Sequence, residues 1–251
     1  MQPLFSEITA LCRDEQFLHS VMKKYHYDPE EYPTLKQLAE QMVPCLETEA
    51  GWQDRDFEET FPEGERSFLA VGITLGEGID ALQENYLREG LLTESYMIEV
   101  LSSELLLKSY QAYTLWVAGH RELHVARLHF LGTEIPENDT PGPETLKTET
   151  SNQKISSRLR LENLPALLQE LQLPVTCNEA YCMIPKKSVV FYAELTKDAF
   201  TKCAGICLGC GRRDCPNRME EKENFPLRFA DMTDRPLSYG YARIFSKTDA
   251  K

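Results

Sequence analysis

Apolar residues recur at helical spacing near the start of the chain. Leu4, Ile8, Leu11, Leu18 and Val21 fall on one face, which predicts a helix over 4–24. Pro29 and Pro33 close that pattern, and "TLKQLAEQM" predicts a second short helix with Thr34 as its cap. An acidic stretch follows and reads as a loop. "RSFLAVGITLG" is short, apolar and flanked by glycine, so a buried strand is predicted there. Two helices are predicted next. One starts near Gly78 and stops at Gly90; the other runs from about Thr93 to Ala118. Apolar residues surround much of the second, which places it in the core.

Further on, "HVARLHFLG" alternates. Ala126, Leu128 and Phe130 are expected on one face of a half-buried strand, with Arg127 and His129 on the other. Residues 134–157 are polar, carry three prolines, and read as a long surface loop. "RLENLPALLQELQL" restores helical spacing through Leu161, Leu164, Leu168 and Leu171, with Pro165 in the first turns. "NEAYCMIPKKSVVFYAELT" reads as two strands joined at "PKK". The remaining residues show little periodicity. This order predicts an α+β plan with a mixed or antiparallel sheet, not a βαβ repeat. The expected division is a main domain over 1–200 and a cysteine-rich tail over 201–251.

The 251 residues carry a net charge of −13. Diffuse acidity argues against binding a phosphate backbone, so no nucleic-acid partner is expected. Much of the acid lies between Asp28 and Glu65, where it reads as a solvated face or as a docking surface for a basic partner. The first residues do not form a secretory signal, and no apolar run approaches the ~18 residues of a membrane span. No membrane association and a cytoplasmic location are therefore expected. In that setting the eight cysteines read as thiols and metal ligands before disulfides.

Four of those cysteines, Cys203, Cys207, Cys210 and Cys215, are spaced C-x3-C-x2-C-x4-C. Four thiolates on a short backbone kinked by Gly205, Gly209 and Gly211 suit a soft four-coordinate ion. Pro216 matches the Cys-Pro ending of iron–sulfur runs, and Arg212, Arg213 and Arg218 would offset thiolate charge. Both [4Fe–4S] and zinc fit, and four ordinary thiols are the bland alternative. The first three cysteines also spell the radical S-adenosylmethionine triplet. That family builds most of its barrel after the triplet, and only 41 residues follow Cys210 here. The histidines form no ligand spacing. His129, beside Arg127 on the polar face of its strand, is the one candidate among them, with a structural role as the commoner alternative.

Three stretches together carry a resemblance. "AVGITLGEGIDALQENYLREGLLTESYMIEVLSSELL" resembles a strand and helix pair of the activation domain of vitamin B12-dependent methionine synthase. "VTCNEAYCMIPKKSVVFYAEL" resembles that family's later hairpin through Thr176, Glu179, Met183, Pro185, Lys187, Ser188 and Val189. "CLGCGRRDCPNR" resembles the tail of its free-standing bacterial members. The resemblance implies a helmet-shaped α+β fold with a twisted, mainly antiparallel sheet. It implies reductive activation of a corrinoid (cobalamin) carried by a partner, either a corrinoid protein or methionine synthase modules, with S-adenosylmethionine as methyl donor and an electron donor assisting. Glu179 and Tyr181 are then the expected ligand-pocket residues, joined by Arg127 and His129 if the strands pair as their alternation suggests. It also favours [4Fe–4S] over zinc at the four cysteines, because reactivation consumes an electron. The competing expectation is a non-enzymatic, metal-bearing interaction protein on the same fold.

Overall fold

A computed structural model of the chain describes residues 6–55, 66–132 and 159–201. Among them, helices and strands alternate irregularly, and a four-stranded antiparallel sheet packs with helices. No helix of the described residues is long and apolar enough to cross a membrane. The chain divides into two units, each assembled from separate segments. The first comprises 1–51, 72–115 and 172–189; the second comprises 52–71, 116–171 and 190–251.

The first unit begins with α1 (Ser6–Leu11) and α2 (Glu15–Lys24). The single helix expected over 4–24 is therefore two. Asp14 is the reason: its carboxylate accepts from the Phe17 N–H at 2.8 Å and caps a new helix. Helix α3 (Tyr32–Met42) starts two residues before the expected cap at Thr34, because Pro33 is favourable in a first turn. Leu35, Leu38, Ala39 and Met42 form its buried stripe at i, i+3, i+4 and i+7. Helix α4 (Gly78–Arg88) ends before Gly90, which holds the left-handed conformation at φ +77°. Helix α5 (Leu92–Arg121) is buried along much of its length, as its apolar surround implied.

Strand β1 (Glu49–Arg55) lies where the sequence read as loop. Strand β2 (Arg66–Thr74) is the expected apolar strand. Residues 66–121 thus run strand, helix, helix. Strands β1 and β2, helix α5 and β6 (Ser188–Thr196) each contribute residues to both units. Two short strands, β4 (Thr176–Cys177) and β5 (Met183–Ile184), pair with each other in the first unit. The strands flanking "PKK" therefore do not pair together; β5 pairs backward with β4, and β6 belongs to the main sheet, whose order is β1-β2-β6-β3. Its two neighbours pair both edges of β6, and residues 188–195 are all buried, so both of its faces are covered as well.

In the second unit, β3 (His124–Phe130) pairs antiparallel with β6, placing Arg127 opposite Glu194 and His129 opposite Tyr192. Helix α6 (Leu164–Leu171) buries Leu164, Leu167, Leu168 and Leu171. Each such leucine is worth about 1.5–3 kcal/mol when removed from water. The register of β3 shifts between Val125 and Arg127. From Arg127 to Phe130 the pairing is regular, so Leu128 and His129 point to opposite faces of the sheet; both are buried, and His129 does not lie on a solvated polar face.

Candidate functional site

The glycines of "LGEGID" are the starting point in the first unit. Gly76 has φ +89°, and a Cβ there would sit 2.7 Å from the Glu47 side chain. A Cβ on Gly78 would sit 2.6 Å from the Cys45 carbonyl oxygen. Both positions need glycine because backbone passes against backbone. The turn they allow brings Thr74, Leu75 and Asp80 to the "PKKS" segment. The Leu75 N–H donates to the Lys187 carbonyl at 2.9 Å, and the Lys186 N–H donates to Asp80 Oδ2 at 2.7 Å. Ser188 Oγ donates to Thr74 Oγ1 at 2.8 Å. Two stretches more than a hundred residues apart are thereby joined within one unit.

Lys187 is the centre of this cluster. Only 7% of the residue is exposed, and its ammonium donates to Glu99 and, at 3.0 Å, to Ser103 Oγ. Glu99 also accepts from Gln83 Nε2 at 3.1 Å. Partial burial pushes the Glu99 carboxyl up. Lys187, through hydrogen bond and charge, and Gln83 outweigh that and hold it below its ordinary value. Lys187 thereby ties Glu99 and Ser103 of α5 to the "PKKS" segment. Asp80 Oδ1 is buried without a hydrogen-bond partner among the described residues. That oxygen is a free acceptor beside the cluster.

A second acidic centre lies on the same long helix. Glu104 accepts from Tyr25 Oη at 2.8 Å and from Lys24 Nζ at 2.6 Å. Burial first, then Glu104, raises the Tyr25 phenol above its ordinary value. The second unit holds a different pair. His129 Nε2 donates to Glu194 Oε2 at 2.9 Å, with the Phe68 ring 6.0 Å from the imidazole. A carboxylate on one ring nitrogen fixes the orientation of the other, the arrangement used to position a catalytic base. Here the imidazole is 6% exposed.

The residues expected to form the ligand pocket fall into two groups. Arg127 and His129 are on β3 in the second unit, half-buried and buried respectively. Glu179 and Tyr181 are on the turn between β4 and β5 in the first. That turn is organised by Asn178, whose side chain accepts from the N–H groups of Ala180 and Cys182 at 3.0 and 2.9 Å. Glu179 is exposed, and Tyr181 is half-buried with φ +59°. Cys203, Cys207, Cys210 and Cys215 lie outside the described residues. Among the described residues, no group of three or more His, Cys, Asp or Glu side chains could hold a metal ion.

Asp80, Glu99 and Ser103 were not singled out by sequence reasoning. Glu99 carried a signal, being an acidic residue inside an apolar helix, where a buried partner is required. Asp80 and Ser103 carried none that periodicity reads. No protein-family model matches the chain, and no curated protein matches it either.

Proposed function

We propose that this protein acts in the reductive activation of a corrinoid carried by a partner protein, with S-adenosylmethionine as methyl donor. One observation carries the reading. The "LGEGID" and "PKKS" stretches, on which the resemblance to the methionine synthase activation domain rests, are joined by three hydrogen bonds in one unit: Leu75 to Lys187, Lys186 to Asp80, and Ser188 to Thr74. The fold supports the reading by its class: an antiparallel sheet packed with helices, in the expected order over 66–121.

The residues of the first unit suit such a ligand. Asp80 Oδ1 is a buried acceptor with no partner among the described residues, fit for an ammonium or hydroxyl donor. Glu179 offers an exposed carboxylate and Tyr181 an aromatic face to a sulfonium. Lys187 holds Glu99 ionised and so maintains negative charge near the same segment. Bound S-adenosylmethionine supplies an electrophilic methyl group. The corrinoid is the substrate: one electron takes its cobalt from the +2 to the +1 state, the cobalt electron pair displaces the methyl from sulfur, and S-adenosylhomocysteine leaves.

The full chain, purified without oxygen, tests this. Calorimetric titration with S-adenosylmethionine is expected to show saturable binding that Asp80→Asn weakens. Added cob(II)alamin and titanium(III) citrate should then convert to methylcobalamin, read by absorbance, faster than without protein. Absence of binding to the anaerobic protein would overturn the proposal. Metal analysis of the same sample distinguishes iron with sulfide from zinc at the cysteines of the tail. Zinc without S-adenosylmethionine binding is the result expected of a metal-bearing interaction protein.

A further inference from the structure

We infer that the turn joining α4 to α5 is a docking surface for a partner protein presenting an apolar side chain ringed by lysine or arginine. The inference is independent of the proposed activity. Four large apolar residues cluster there and remain open to water: Leu87 at 53%, Leu91 at 37%, Leu92 at 65% and Tyr96 at 55% exposure. They form one patch. Leu91 N–H donates to the Tyr86 carbonyl and Gly90 N–H to that of Leu87, which folds the turn back onto the end of α4. Leu92 and Tyr96 are one helical turn apart on the same face of α5.

Of the four, only Leu91 has a local role, as the apolar residue that follows the left-handed Gly90 and closes the end of α4; Leu87, Leu92 and Tyr96 have none. Leu91 immediately precedes the first residue of α5, where serine, threonine, aspartate or asparagine would cap the helix and leucine cannot. Leu92 is more exposed than any other leucine among the exposed apolar residues, so it adds little to the core. A contiguous apolar patch without a packing role marks an interaction site.

Charge selects the occupant. Glu84, Glu89 and Glu94 are interleaved with these residues in the sequence, and the one basic residue between Glu84 and Tyr96, Arg88, is engaged by Glu84 at 2.8 Å. A second copy would bring the same acidic rim, on a chain of net charge −13, against this one. A partner with a basic rim gains where a second copy is repelled.

The probe is a fluorescent synthetic helix with leucine and lysine at amphipathic spacing, and its control has glutamate at every lysine. Anisotropy with the full chain is expected to show binding of the lysine peptide only. Affinity should fall at least tenfold in Leu92→Ser/Tyr96→Ser and at least threefold in Glu89→Gln/Glu94→Gln, with unchanged circular dichroism and melting temperature. Equal binding to the serine variant would assign the attraction to bulk acidity and overturn the inference. Equal binding of both peptides would remove the charge argument and overturn it too. Failure of the lysine peptide to bind has the same consequence. A dimer seen in sedimentation and dissolved by the serine variant would assign the patch to a second copy instead.

Discussion

Lys187–Glu99 in the first unit and His129–Glu194 in the second each join a nitrogen donor to a carboxylate distant in sequence, but they are covered differently. Lys187 is 9% exposed at its side chain while Glu99 is 40% exposed; His129 and Glu194 are 8% and 11%. The first pair keeps Glu99 partly in water and gives each member a neutral partner, Gln83 donating to Glu99 and Ser103 accepting from Lys187. The second has both members withdrawn. Desolvation cost rises with burial faster than attraction is gained, so the two pairs should answer differently to loss of one partner. The half-open pair can rehydrate. The closed pair rehydrates less readily, and the surviving group loses one hydrogen bond while it stays buried.

The largest effect is therefore expected at the closed pair. His129→Leu removes one hydrogen bond from the buried Glu194 carboxylate and should cost about 1.5–3 kcal/mol of stability in urea unfolding. The double variant His129→Leu/Glu194→Leu should recover most of that loss, because no charge is left buried. A double variant as unstable as the single one would mean that shape, not charge, governs this site, and the contrast between the pairs would fail.

Next in size is the backbone that frames the open pair. Gly78→Ala drives a methyl group into the Cys45 carbonyl and should cost about 1–3 kcal/mol. Gly90→Ala has open space, and only its φ of +77° opposes it, so about 1 kcal/mol is expected. Thermal melts of the two variants side by side separate steric contact from backbone strain. Equal losses would show that close approach at Gly78 is not what the motif requires.

Lys187→Met should cost less, about 1 kcal/mol, since Glu99 is left near water. Its pH dependence is the sharper readout. The Glu99 carboxyl is held below its ordinary value in the folded state, so its contribution is present above the unfolded value of about 4.3 and is lost as pH falls through the folded one. Wild type and Lys187→Met should thus differ at neutral pH and converge on acidification below about 4.3. A difference that persists in acid would assign the effect to packing of the lysine stem.

How far these features were legible follows from their range. Helices α3, α4 and α5 and strand β2 could be read because each is decided by residues within one or two turns. Strand β1 was read as loop because "EAGWQDR" is mostly polar; its strand state comes from pairing with β2, a partner outside any local window. The break at Asp14 shows a single capping hydrogen bond overriding an apolar stripe that continues across it. The burial of His129 depends on tertiary cover and on Glu194, 65 residues later, in a strand whose apolar run masks its one acid. The site was legible in the same measure. Lys187 lay within a quoted stretch, while Asp80, Glu99 and Ser103 are brought to it only by the tertiary fold.

The smallest effect on stability, and the one that carries the contrast of coverage to single groups, concerns two thiols of the first unit. Cys12 is 1% exposed, and burial pushes its thiol up to about 11. Cys182 is exposed on the turn beside Tyr181. Only the thiolate is nucleophilic, and a thiol with that value is ionised in about one molecule per thousand at pH 8. Iodoacetamide at pH 8 should therefore label Cys182 within minutes and leave Cys12 unmodified in the folded protein, with both labelled in urea, as peptide mass spectrometry would read. Burial acts on Cys12 twice, by withholding the thiolate and by blocking the reagent. The two causes part on raising the pH toward 11. If ionisation limits, labelling of Cys12 climbs about tenfold per unit while the protein stays folded. If access limits, it climbs only as Tm falls, and Cys12 then reports the opening of the α1–α2 region rather than its own acidity.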